Sequence, residues 1–517
     1  YLRASIFDRS MEKKYPEYKG LHLPNVASAV LEKWNTNKVF ERSISTREGK
    51  TPYIFFEGPP SANGLPGIHH VMARSIKDIF CRYKTLKGYQ VKRKAGWDTH
   101  GLPVELGVEK LLGITKEDIG TKISVDDYNA ECRKAVMKYT DVWNRLTKTM
   151  GYWVDMDDPY ITYEPKYMES VWWLLGQLYE KNLLYKGYTI QPYSPKAGTG
   201  LSSHELNQPG CYRDVSDTTV VAQFKIKDDQ ALPFEFRNHL CDADGSVHFL
   251  AWTTTPWTLP SNTALCVGPQ IESVLVQSFN QYTFEPIRVI LAKNLLNYQF
   301  GKGYQQVEND EELKNYKAGD KTIPFFVEGE CHGADLVGIA YEQLLPYTLP
   351  AQTPEKAFHV ISGEFVTTED GTGIVHIAPT FGADDARVAA DAGVPAMLVE
   401  DERGNLVPLV DLQGKFRPEM GELAGMHVKN EYYNDGDAPE KSVDVQIAIK
   451  LKTENKAFKV EKYVHSYPHC WRTDKPVLYY PLDSWFIRVT DVKDKMIALN
   501  NTINWKPEST GSGRFGK

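Results

Sequence analysis

The stretch from Tyr53 to Ala95 restricts the fold more than any other part of this 517-residue chain. Tyr53–Phe56 is a short apolar run that reads as a strand, and Gly58-Pro59-Pro60 stops it at once. Ile68, Val71, Met72, Ile76, Ile79, Phe80 and Tyr83 then recur at helical spacing, which predicts a helix with one apolar face, ended by Gly88. A second strand is predicted near Tyr89–Ala95. Strand, helix and strand in this order predict a parallel pair joined by a right-handed crossover, the opening of a Rossmann-like α/β sheet. Such a sheet normally needs about five or six strands, and this region offers only about two or three. The expectation is therefore half of a doubly wound domain, in a fragment of a longer protein.

The flanking sequence fits that picture. Residues 1–45 read as a helical arm, with Val26, Val30, Leu31 and Trp34 at helical spacing. Amphipathic helices are predicted near Tyr128–Met150 and Tyr167–Lys186. From about Thr218 the texture changes to short β-rich runs at Thr219–Ile226, Val247–Trp252, Ser273–Ser278, Ile287–Ala292 and Ile323–Val327. Clusters of Gly, Pro, Asn and Asp separate them, which predicts a β-barrel-like domain inserted into the α/β domain. The expected layout is an arm at 1–45, the first Rossmann-like half at 46–187, a stalk at 188–217, the insertion at 218–425, a return stalk at 426–480 and the start of the second half at 481–517.

Composition narrows the class. Hydrophobic residues make up 42% and charged residues 25%, as in a soluble globular protein. No apolar run reaches the roughly 18–20 residues that cross a bilayer, so no membrane partner is expected. The first residues lack the apolar core of a signal peptide, and a cytoplasmic location is expected. The seven cysteines form no Cys-x-x-Cys pair, which argues against a disulfide framework. A net charge of −7 supplies no global basic field for nucleic acid and leaves room only for a local basic groove.

Two places carry chemistry. A strand, a Gly/Pro turn and a helix N-terminus form an anion site, and His69 and His70 lie on the first turn of that helix. The block Gly96-Trp97-Asp98-Thr99-His100-Gly101-Leu102-Pro103 follows the second strand, at the sheet edge where α/β proteins bind ligands. Asp98 there can pair with an α-ammonium group. Taken singly, a solvated histidine pair and a turn aspartate account for the same residues. The second place is Trp252-Thr253-Thr254-Thr255-Pro256-Trp257-Thr258, which by itself also reads as a plain edge strand.

Neighbouring residues decide between these readings. Pro59-Pro60-Ser61-Ala62-Asn63-Gly64-Leu65-Pro66-Gly67-Ile68-His69-His70 resembles the class I aminoacyl-tRNA synthetase motif whose usual core is His-Ile-Gly-His, and the Gly96–Glu105 block resembles the isoleucine branch. The resemblance implies that Glu57, Gly58, Pro59, Asn63, Gly67, His69, His70 and Asp98 bind ATP and the isoleucyl-adenylate, with His69 and His70 acting in catalysis. One departure is plain: in Gly67-Ile68-His69-His70 the first and third positions of the motif are exchanged. The expectation is that Gly67 leaves room that His69 uses.

The threonine block, together with Gly371–Pro379 and Phe381–Asp385, resembles the proofreading domain of isoleucyl-, valyl- and leucyl-tRNA synthetases. That implies hydrolysis of mischarged valine, which differs from isoleucine by one methylene and is poorly rejected by an apolar pocket; isoleucyl enzymes are the standard illustration of this limit. By resemblance Asp385 grips the α-ammonium, Thr254 and Thr255 act at the ester or position water, and Trp252, Thr253, Thr258 and His376 complete the pocket. No Cys–His or Ser–His nucleophile is suggested, so positioned water is the expected attacking group. The family further implies ATP with Mg2+ and, as partners, isoleucine and tRNA(Ile), with a monomer expected. A Lys-Met-Ser-Lys-Ser loop is not found, so this chain is expected to be competent at most for editing. A stand-alone deacylase of misacylated tRNA and an inactive tRNA-binding module remain as rival readings. Many relatives carry a zinc knuckle, but the matching positions here are Ser194, Ala197, Cys470 and Thr473, and no zinc is expected.

Overall fold

The structure is a computed structural model that describes residues 20–228, 230–233 and 246–514. The first part of the expected arm, Cys241 and the last three residues lie outside the described set. The chain divides into two units, Tyr1–Asn182 and Leu183–Lys517.

The first unit is built on strands β1 (Pro52–Phe56), β2 (Gln90–Trp97) and β3 (Asp155–Ile161), all parallel, in the order β1-β2-β3. Helices α1 (Leu23–Thr36) and α2 (Val39–Ser45) precede the sheet, and α3 (Ile68–Leu86) makes the crossover. Then come α4 (Leu102–Leu112), α5 (Val125–Val136), α6 (Thr140–Thr149) and α7 (Pro165–Glu180). The helix expected over Tyr128–Met150 is broken because the Tyr139 N–H donates to Ala62 O at 2.9 Å. The helix expected to run to Lys186 ends at Glu180, and a strand begins at Leu184.

The apolar face of α3 points away from the sheet. Its buried residues are Arg74, Cys81 and Thr85, whereas Ile68, Met72, Ile76, Ile79, Phe80 and Tyr83 are 50–75% exposed. The sheet-facing side is held by specific polar contacts. Arg74 donates to Thr147 Oγ1 at 2.7 Å and lies over the rings of Trp143 and Tyr152, while Asp78 pairs with both Arg82 and Arg93. Ile54 and Phe56 on β1 are exposed as well, so the apolar outer face of this unit is continuous with an edge strand.

The second unit contains a ten-stranded sheet. Its central strand, Val247–Thr253, pairs on one edge with Tyr212–Lys225. Its other edge forks: Val247–Phe249 pair parallel with Arg288–Ile290, and Trp252 meets Val375 of Ile374–Ile377. The expected strands all form here in a branched sheet, and short bridges through Ala340 and Tyr341 link His359 to Ile226, just past Tyr212–Lys225, without a complete barrel ladder among the described residues. Phe224, Phe249, Leu265, Leu275 and Ile290 are fully buried, which places the main core against this sheet. Tyr212–Lys225 pairs antiparallel with Ala457–Pro468 in a long ribbon of this sheet, and Leu184–Ser194 with Leu478–Ile487 forms a second long ribbon in a separate sheet. Among the described residues no helix is long and apolar enough to cross a membrane.

Candidate functional site

In the first unit the two signature blocks meet beyond the C-terminal ends of β1 and β2. The loop after β1 is pinned at three points: Pro60 O accepts the Asp98 N–H at 3.1 Å, Ala62 O accepts the Tyr139 N–H, and Gly64 O accepts the Trp143 indole N–H at 2.9 Å. Asp98 and Asn63 are half-buried and Gly58 is exposed. Glu57 is buried, and its carboxylate pairs with Lys77 and accepts the Tyr152 hydroxyl. Its side chain therefore ties β1 to α3.

The exchanged motif has a direct steric correlate. Gly67 caps the start of α3, and a Cβ there would stand 2.8 Å from His69 Cε1 and 2.9 Å from His69 Nδ1. His69 occupies the space that a side chain at position 67 would take. His70 Nδ1 accepts the Gly67 N–H at 2.9 Å, which assigns the ring hydrogen to Nε2. Burial and then the neighbouring His69 and Arg74 lower the His70 pKa, so the ring is neutral near pH 7. Trp143 fixes it edge-on, with ring centroids 4.7 Å apart. The result is a neutral donor beside a helix N-terminus, a fit for phosphate oxygens.

In the second unit the strand ending at Thr253 runs into a tight turn, Pro256–Ser261. Thr258 Oγ1 donates to Thr255 O at 2.8 Å and lies 3.4 Å from Thr255 Oγ1 and 3.2 Å from His376 Nε2. Because Thr258 commits its one hydrogen to the carbonyl, His376 Nε2 is the donor to it, and Nδ1 remains a buried lone pair without a partner. Burial drives the His376 pKa down to about 4, so this imidazole stays neutral. Thr255 N–H donates to Thr253 Oγ1 at 3.1 Å, and the half-buried Thr254 makes no hydrogen bond among the described residues. Trp252 is half-buried against Tyr463.

Asp385 joins this wall from the first turn of the helix Ala383–Asp391. Its Oδ2 accepts the Ala378 N–H at 2.8 Å, two residues after His376. A Cβ at Gly382 would stand 2.6 Å from Asp385 Cγ, so only glycine lets the carboxyl fold back. Burial, the dominant cause, raises the Asp385 pKa to about 6. The carboxylate is ionised above that pH and available to a cationic group.

The positions matching a zinc knuckle make other bonds. Ser194 Oγ accepts the Ala197 N–H at 3.2 Å, and Cys470 O accepts the Asp474 N–H at 2.8 Å. Among the described residues no three His, Cys, Asp or Glu side chains cluster as metal ligands. Reading the sequence did not single out Lys77, Trp143, Tyr152 or Asp444. Lys77 had a signal, since His70, Arg74, Lys77 and Cys81 recur at helical spacing as a polar stripe.

Comparison with known proteins places these sites in context. Residues 29–517 match the family described as tRNA synthetases class I (I, L, M and V). The chain is 62% identical to an isoleucine–tRNA ligase of Bacteroides fragilis over 98% of its own length and 44% of that protein's. It is 61% identical to the isoleucine–tRNA ligase of Cytophaga hutchinsonii, and 41% identical to that of Clostridium tetani over 94% of this chain and 40% of the relative. The chain thus spans less than half the length of these relatives. A solved leucyl-tRNA synthetase segment, GlLeuRS-CP1, aligns over 47% of this chain and 99% of its own at 14% identity, with a TM-score of 0.29, too low to carry an argument. From the signature blocks and the match over residues 29–517, the chain belongs to the class I tRNA synthetases of the isoleucine, leucine, methionine and valine group.

Proposed function

We propose that this chain is part of an isoleucine–tRNA ligase that activates isoleucine with ATP, transfers it to tRNA(Ile), and hydrolyses mischarged valine at the threonine site. The observation that carries the editing part is the joining of Thr255, Thr258 and His376 by hydrogen bonds, with Asp385 bonded to the Ala378 N–H two residues after His376. Residues 46–187 are assigned to the first half of the activation domain, 188–217 and 426–480 to stalks, 218–425 to editing and 481–517 to the start of the second half. In the longer protein the exposed outer face of α3 and the β1 edge are covered by the remainder of that domain.

At the activation site ATP lies on the N-terminus of α3. Its triphosphate supplies the leaving pyrophosphate when the isoleucine carboxylate attacks. His70 Nε2–H donates to a phosphate oxygen, and Asp98 pairs with the α-ammonium. Mg2+ bound with the nucleotide would neutralise phosphate charge, and Glu57, committed to Lys77 and Tyr152, would not hold it. At the editing site Asp385 binds the α-ammonium of the ester-linked valine, and Thr254 and Thr255 orient the ester and a water. Thr253, Thr258, Trp252 and His376 close the pocket against the larger isoleucine. We place the protein in the cytoplasm as a monomer.

Isoleucine-dependent ATP–pyrophosphate exchange by the full-length protein tests the activation half. It is expected to be lost on Asp98→Ala. Absence of exchange in the unaltered protein leaves a stand-alone deacylase as the better reading.

A further inference from the structure

Neither site uses the buried ionic cluster of Asp217, Lys429 and Asp444. Asp444 Oδ1 accepts the backbone N–H of Trp257 at 2.9 Å, and its Oδ2 lies 3.6 Å from Lys429 Nζ. Lys429 Nζ is 3.0 Å from Asp217 Oδ2, which His465 Nε2 approaches at 3.2 Å, and it lies 5.0 Å from the centroid of the Tyr467 ring. The side chains of Lys429 and Asp444 are each only 6% exposed. Desolvating such charges offsets most of their attraction, and apolar residues of the same volume hold a fold equally well. What the cluster adds is direction: a fixed acceptor for one chosen N–H.

That N–H belongs to the turn between Thr255 and Thr258. The Trp257 ring packs edge-on against Phe381 with centroids 4.9 Å apart, and Phe381 N–H donates to Ala378 O at 2.9 Å, the residue whose own N–H Asp385 accepts. Trp257 therefore links the threonine turn to the aspartate loop, and Asp444 holds Trp257 by its backbone. We propose that Asp444, locked by Lys429, is a positioning residue of the hydrolytic site: it sets the spacing between the Thr255 and Thr258 hydroxyls and Asp385. This rests on the hydrolytic reading given above.

The test compares Asp444→Asn, which keeps an acceptor oxygen, with Asp444→Ala, which removes it; Asp444→Ser, too short to reach, replaces the alanine variant if that does not fold. Two quantities are measured on the 517-residue chain: deacylation of Val-tRNA(Ile), and amide hydrogen exchange across Trp252–Asn262. Asp444→Ala is expected to lower kcat about tenfold or more, the worth of one hydrogen bond to a charged group, with KM little changed. Asp444→Asn should recover most of the rate, and exchange at the Trp257 amide should accelerate in the alanine variant alone. Equal kcat for Asp444→Ala and the unaltered chain overturns the inference, as does an asparagine variant no better than alanine. If the unaltered chain hydrolyses nothing, the hydrolytic reading fails by itself. The exchange measurement still decides: acceleration upholds the clamp on Trp257, and unchanged exchange across Trp252–Asn262 overturns it.

Discussion

The two candidate sites are built in opposite ways. In the first, an exposed Gly/Pro loop is pinned by long-range hydrogen bonds from Asp98, Tyr139 and Trp143, beside a helix whose apolar face is open. In the second, the proposed working residues grow out of a mostly buried strand and a turn in which every residue from Pro256 to Ser261 is buried. On the proposed function, a loop that admits and releases nucleotide is kept adjustable by few contacts. On the same proposal, a pocket that tells valine from isoleucine by one methylene needs walls that do not yield. The contrast teaches that the second candidate site is held more rigidly than the first.

Substitutions probe that contrast, beginning with the largest effect. Asp385→Ala removes the carboxylate proposed to bind the α-ammonium, and single-turnover deacylation of Val-tRNA(Ile) is expected to fall by on the order of 100-fold, about 3 kcal/mol for a buried charged partner. An undiminished rate would remove Asp385 from the site. The same carboxyl predicts a pH profile. With its pKa raised to about 6, it is charged at pH 7 and neutral below, so the rate should fall about tenfold per unit as pH drops through 6. A rate flat from pH 5 to 8 contradicts this role.

At the first site Gly67→Ala places a methyl group against the His69 ring. Forced crowding of this kind costs about 1–3 kcal/mol, and pyrophosphate exchange in the full-length protein should drop by about tenfold. The pair Gly67→Ala with His69→Gly should recover part of that loss, and unchanged exchange in the single variant breaks the steric account. Trp143→Phe, which keeps the ring beside His70 but loses the bond to Gly64 O, is expected to have the smallest effect, about 1 kcal/mol in thermal unfolding. A larger loss there means that the loop is held more firmly than its contacts indicate.

Much of this was legible in the chain. The β–α–β order was readable from Gly58-Pro59-Pro60 and Gly88, and the strands of the second unit from their β-branched runs between turn residues. Periodicity alone gave α3 an apolar face but not the side on which that face would lie. The stripe of Arg74, Cys81 and Thr85 won the inner side through partners far away in sequence. The forking of Val247–Thr253 was not legible, since it depends on pairings between strands distant in sequence. Trp143 and Asp444 carry no local signal: their partners lie 79 and 187 residues away, at Gly64 and Trp257. The threonine block, Asp385 and the histidine pair were legible as motifs; the groups that hold them were not.

The central claim is that the rigid site hydrolyses a valine ester and spares isoleucine. It is tested most directly by incubating the purified 517-residue chain with Val-tRNA(Ile) and, separately, with Ile-tRNA(Ile), and following ester loss against the uncatalysed rate. The account predicts rapid loss of valine and near-background loss of isoleucine. Equal rates for the two esters, or no catalysed loss of valine by a folded chain, would contradict it.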